Sequence, residues 1–282
     1  MTRDTTGTVA LSDTTLADIF LIGATTMLFS SYRTALLDAQ SIHDPRLLIA
    51  SEGRLTIRYA PFDFVNQKAK VVLLGITPGA QQADAAIGEA RRALRAGLSD
   101  ADILARAKVH ASFAGAMRAN LIDMLDAVGL AQALDLVSCA SLWGQDTDRV
   151  HFASALRYPV FLDGGNYAGR SPEMTRSEVL RDHLRRYTTK ELASIPDALV
   201  LPLGPAVADA CAWLIEQGLL EASRVAIGLP HPSPASNERI AFFLGRKDEA
   251  RLSRMVNPSK IVEGRKAVTA AIQNWAGRCT LA

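Results

Sequence analysis

Residues 71–79 read Val71-Val72-Leu73-Leu74-Gly75-Ile76-Thr77-Pro78-Gly79, four consecutive apolar residues running into two glycines and a proline set around one hydroxyl. An apolar run of this length, without polar alternation, predicts a strand covered on both faces, as in a parallel sheet. The turn behind it directs backbone groups outward and lets a ligand come close to the chain. It carries neither the lysine of a P-loop nor the third glycine of a dinucleotide fingerprint.

Outward from this strand, expected over Ala69 to Ile76, three further apolar runs have the same character: Leu134 to Ser141, Ala198 to Leu203 and Arg224 to Leu229. Helical sequence separates them. Residues 81 to 130 are helical in pattern, with Ser99 as a cap ahead of Asp100 and Asp102. Ser171 before Pro172 and Glu173, and Gly204 with Pro205 before Ala206 to Gln217, give two more helix starts. The alternation predicts an α/β fold with helices on both sides of a parallel sheet. Residues 14 to 45 read as one or two amphipathic helices and Arg54 to Tyr59 as a short extra strand, together an N-terminal, mainly helical elaboration over residues 1–60. Gly144 to Ser171 reads as a long loop, and structureless loops of that length are usually functional or disordered. Its arginines and its aromatics Phe152, Tyr158, Phe161 and Tyr167 suit a surface that stacks bases and grips phosphates, and equally a loop tucked onto the domain.

Composition narrows the classes. With 49% apolar and 21% charged residues, the 282-residue chain is globular in character. The longest uncharged stretch near the start, Ile19 to Tyr32, is too short for a bilayer, and Met1 to Asp13 lacks the basic start of a secretory signal. A cytoplasmic address and no membrane partner are expected. Cys139, Cys211 and Cys279 are odd in number and widely spaced, which argues for a reducing compartment and cannot ligate an iron–sulfur cluster. Net charge is +2, yet Arg149 to Lys190 holds eight Lys or Arg against four acids, and Glu221 to Ala282 ten against five. Such a split presents a basic face to phosphates, or a set of solvated helix faces.

A second motif follows the last apolar run: His231-Pro232-Ser233-Pro234-Ala235-Ser236. The two prolines fix φ and remove donors, so a histidine and two hydroxyls sit on a stiff loop at a strand end. Gly75 to Gly79 and His231 to Ser236, at the ends of the first and last core runs and about 150 residues apart, resemble the two active-site motifs of the uracil-DNA glycosylase superfamily. The resemblance covers roughly Ala69 to Gly245, and Gly165, Asn166, Gly169, Arg170 and Pro172 look like an intermediate region of several of its branches.

The resemblance implies a single-domain three-layer α/β/α sandwich over residues 61–282, with a central, mostly parallel four-stranded sheet. It implies a metal-free, cofactor-free monomer that hydrolyses the N-glycosidic bond of a uracil-like or modified base flipped out of single- or double-stranded DNA, in base-excision repair or in defence against modified phage DNA. His231 would donate to the base carbonyl oxygen, and Thr77 would lie on the water side. Gly75, Ile76, Pro78 and Gly79 would receive the base, Phe113 would stack on it or belong to the core, and Ser141, or Ser138 in another register, would read its edge. Pro232, Ser233, Pro234, Ser236, Arg239, Asn166 and Arg170 would hold the DNA backbone.

Three departures stand out. Thr77 stands near the Asp, Asn or Glu of active relatives and is no base at neutral pH; the Asn-bearing branches, closest in shape, also lack a basic group there, and Asp84, Asp146 or Asp163 are the candidates for a carboxylate from elsewhere. Ser141 replaces a two-sided amide, and Ala235 stands where some relatives carry a large wedging side chain. A nucleic-acid-binding module without catalysis, and a small-molecule hydrolase on the same scaffold, are the competing readings.

Overall fold

The computed structural model describes residues 28–112 and 115–279. Its strands are β1 (Leu48–Glu52), β2 (Leu55–Arg58), β3 (Val71–Gly75), β4 (Val150–Ser154), β5 (Val160–Leu162), β6 (Gly165–Asn166) and β7 (Leu199–Pro202). Its helices are α1 over residues 28–38, α2 (Ala80–Arg95), α3 (Asp100–Ala111), α4 (Gly115–Ala127), α5 (Leu130–Ala133), α6 (Glu178–His183), α7 (Thr189–Ala193), α8 (Pro205–Glu216), α9 (Asn237–Phe243) and α10 (Pro258–Cys279).

The strand expected over Ala69 to Ile76 forms, as β3. β3 is buried at every residue and lies between β4 and β7, parallel to both, with Val71 opposite Val150 and Leu199 and with Gly75 opposite Ser154. Alternate side chains of β3 enter two separate cores. Val72 and Leu74 pack with α2, α3 and α8, while Val71 and Leu73 pack with α4, α5, α9 and α10. This is the mixed α/β arrangement expected, with helices on both faces.

The sheet differs from the expected four parallel strands. Three strands form a regular ladder, and residues 225–229 run beside β7 with parallel bridges at only Val225 and Leu229. Between them Gly228 takes φ +146° and meets the backbone of Gly264 on α10, so closely that an added Cβ would fall 2.0 Å from the Gly264 carbonyl oxygen. That conformation breaks the pleat.

The second core strand is β4, inside the segment expected to be a loop, whereas Leu134 to Ser141 is no strand. Asp135 there has φ +53°, Val137 is fully exposed, and Cys139–Trp143 forms a short 3-10 turn. Ser171 starts no helix either, since α6 begins at Glu178. Ser99 and Gly204 do precede helices, Ser99 accepting from the Asp102 amide at 3.2 Å and Pro205 occupying the first turn of α8.

A second, antiparallel sheet has the order β1-β2-β5-β6. It joins the N-terminal segment, β1–β2 hairpin included, to the middle of the chain, so residues before 60 contribute strands as well as helix. Among the described residues no helix is long and apolar enough to cross a membrane.

Candidate functional site

At the carboxyl ends of β3, β4 and β7 lies a cleft of about 700 Å³, the location where open α/β sheets bind ligands. One wall is the turn Gly75 to Gly79. Its Thr77 hydroxyl donates to the Tyr158 carbonyl at 3.0 Å and accepts from the Val160 amide at 3.1 Å, so it ties the turn to the start of β5 in the antiparallel sheet. Gly79 precedes α2, and its amide donates to Gln82 Oε1 at 3.1 Å while Gln82 Nε2 reaches the Ala111 carbonyl at the end of α3. Asn166 Oδ1 accepts from the Ala80 amide at 2.9 Å. Its amide would lie 3.4 Å from a Cβ at position 79, so glycine there keeps this contact unstrained.

The opposite wall is the His231 loop. Gly204, with φ +92°, lets it approach, because a Cβ at 204 would stand 2.8 Å from that of His231. Asn120 on α4 donates to the Pro232 carbonyl at 3.0 Å. The Ser233 amide donates to His231 Nδ1 at 3.3 Å, which leaves Nε2 as the protonated nitrogen of the neutral ring. Burial holds the His231 pKa below 6.5, so the ring stays a neutral donor. Pro232 is buried behind the loop, whereas Pro234 and Ala235 are exposed at its tip.

The charge of the lining is one-sided. Lys108, Arg157, Arg170 and Arg239 face the cleft, and among the described residues no Asp or Glu does. Lys108 and Arg157 are 5% and 4% exposed and rest on a buried network. Glu191 takes Arg157 Nε at 2.8 Å, His151 Nε2 at 2.6 Å and the Lys108 ammonium at 3.5 Å. Burial opposes ionisation of Glu191, but Arg157 and Lys108 outweigh it and hold its carboxyl well below the usual range. Burial pushes the Lys108 pKa down, offset by Glu191 and reinforced by Arg157. Asp63 accepts from the hydroxyls of Tyr59 and Tyr158, and its pKa is raised by burial.

The structure therefore brings Gly75, Ile76, Thr77, Pro78, Gly79, Asn166, Arg170, His231, Ser233, Ser236 and Arg239 to one cleft. Ser141 is a correction: its hydroxyl donates to the Ser138 carbonyl in the turn after α5, away from the cleft lining, because its segment is not the second strand. The strand-end position opposite Gly75 belongs to Ser154, which does line the cleft. Phe113 lies outside the described residues, and Phe62 and Phe152 are aromatic residues of the lining. None of the three candidate carboxylates reaches the cleft. Asp84 accepts from the Ile42 amide, Asp163 pairs with Arg54, and Asp146 lies beside Arg149. Sequence reasoning missed Lys108, Arg157, Gln82 and Asn120. A signal for Lys108 was present, since it occupies the buried stripe of α3 with Leu104 and Ala111.

No family model matches the chain and no solved structure matches it. The chain is 35% identical over 218 residues, 77% of its length and 85% of the other's, to a Bacillus subtilis (strain 168) protein described as "Uncharacterized protein YoxB".

Proposed function

Because the chain belongs to the family of the Bacillus subtilis protein YoxB, whose description assigns no activity, we propose a function from the cleft itself: removal of a base from DNA by cleavage of its N-glycosidic bond. The observation that carries this reading is the meeting of the Gly75 turn and the His231 loop across a cleft with four cations and, among the described residues, no acid in its lining. Phosphates are the ligands such a lining favours.

In this reading the flipped base lies against the turn, and the His231 Nε2–H donates to its carbonyl oxygen as the C–N bond breaks. A preorganised donor at a developing oxyanion is worth about 3 kcal/mol of barrier. The neutral ring suits this task, because it donates without first having to lose or gain a proton. Ser233, Ser236, Arg170 and Arg239 hold the flanking phosphates. Ser154 offers one short hydroxyl where an amide would discriminate more sharply, so the cleft admits bases larger than uracil.

The test is release of base from single- and double-stranded oligonucleotides carrying uracil, hypoxanthine or modified cytosines, scored as abasic sites. A second reading, a DNA-binding module without catalysis, is favoured by the Thr77 hydroxyl, whose proton is committed to the Tyr158 carbonyl. Salt-sensitive DNA binding with no base released from any substrate would establish that second reading. No DNA binding even at low salt would remove both.

A further inference from the structure

We propose that Lys108 is the nucleophile of this cleft, so that base removal proceeds through a lysine imine and ends in strand scission; the proposal rests on the base-excision reading of the same cleft. Hydrolysis by water is assisted by a carboxylate that takes the water's proton, and among the described residues the lining supplies none. Among the described residues it contains no carboxylate, Thr77 spends its proton on Tyr158, and His231 Nδ1 is occupied by the Ser233 amide. The serine hydroxyls of the lining share it with no carboxylate among the described residues, and Ser112 Oγ is engaged by the Lys108 carbonyl. A primary amine needs no such partner once it is neutral, and Lys108 is the one lysine of the lining among the described residues.

Its surroundings favour the neutral form. The ammonium is almost wholly enclosed, with the Phe62 carbonyl at 3.0 Å and the Glu191 carboxylate at 3.5 Å. Arg157 on the other Glu191 oxygen, at 2.8 Å, and His151 at 2.6 Å keep that carboxylate satisfied when Lys108 gives up its proton. Asp63, which also faces Lys108, has both oxygens engaged by Tyr59 and Tyr158. Desolvation and a neighbouring cation are the usual means of activating an amine.

The steps balance. Nζ, its proton lost to solvent, bonds to C1′ as the C1′–N bond breaks, and the bonding pair leaves with the base as an anion, whose oxygen accepts a hydrogen bond from His231 Nε2–H and which takes its proton from solvent. The nitrogen loses a second proton, its lone pair forms C=N as the C1′–O4′ bond opens, and O4′ is protonated. Loss of a C2′ proton then expels the 3′ phosphate by cleavage of C3′–O, and water hydrolyses the imine to return Lys108 and an unsaturated aldehyde. With a preformed abasic site, amine and aldehyde give the same imine and water.

The experiment incubates the full chain with an abasic-site oligonucleotide and sodium borohydride, and maps any reduced adduct by peptide mass spectrometry. The expected result is a covalent complex carried on Lys108, and a nicked strand when borohydride is left out. Lys108→Arg, which keeps a cation beside Glu191, and Lys108→Met are both expected to abolish trapping. Mapping on the unaltered chain decides the matter even where a variant does not fold. No adduct, or an adduct on another residue, overturns the proposal. Base release without trapping overturns it and leaves base excision standing, whereas trapping on Lys108 with no base ever released supports the imine chemistry and removes base excision.

Discussion

At His231 the position of one proton sets the chemistry. The Ser233 amide fixes Nδ1 as an acceptor, and burial keeps the ring neutral, so Nε2–H is available over a wide range of pH. His231→Ala is expected to lower base release by about 100-fold or more with the fold intact, as for loss of an oxyanion donor. In the unaltered protein any loss of rate through protonation of His231 itself is expected below the ring's ordinary pKa, because burial disfavours the imidazolium, which no longer accepts at Nδ1. His183 offers a test of stability rather than rate. It accepts from the Tyr158 amide at 3.3 Å, and burial, with Arg157 close by, lowers its pKa to about 3 from 6.5. The unfolded chain binds that proton first as pH falls, so stability present above pH 6.5 is lost progressively toward pH 3, at up to about 1.4 kcal/mol per pH unit. His183→Gln keeps an acceptor and cannot titrate. The drop in urea midpoint between about pH 7 and about pH 4.5 is expected to be smaller in that variant than in the parent.

Among the elements, the β7–α8 junction holds the His231 loop in place. Gly204→Ala would force a side chain into φ +92° and against His231, and is expected to destabilise by roughly 1–3 kcal/mol. Base release is expected to fall further than the unfolded fraction accounts for, because the loop carrying His231 must shift. Denaturation curves and the abasic-site assay on one preparation separate the two effects. The junction was legible in the sequence, as were β3 and β7 and the Ser99 cap, because each is written in adjacent residues. β4 was not, because His151 reads as a polar interruption until Glu191, forty residues on, and the Asn66 amide satisfy its ring. Leu134 to Ser141 misled for the opposite reason, since its apolar residues are divided between the core and an exposed turn. The two motif loops of the cleft could be read from sequence. Its cationic floor could not, since Arg157 and Lys108 come together only through the packing of α3, α7 and the segment after β4.

Across the whole molecule, a net charge of +2 conceals a cleft lined by four cations. DNA affinity is expected to fall with salt, and Arg170→Ala and Arg239→Ala are each expected to reduce the slope of log K against log salt by about 0.9 on duplex or 0.7 on single strands. A change in affinity at constant slope would count against phosphate contact at that position. The two walls of the cleft also differ in how firmly they are held. The Gly75 turn is cross-braced by Thr77 to β5, by Gln82 to α3 and by Asn166 to the start of α2. The His231 loop follows two isolated bridges, Val225 to Val200 and Leu229 to Leu203, and is tied to α4 by the Asn120 contact. Such a pair is expected to act over time as a fixed jaw and a moving one. Backbone amides at 230–236 are therefore expected to exchange hydrogen with solvent faster than those at 71–79, and bound DNA to slow the first group far more than the second.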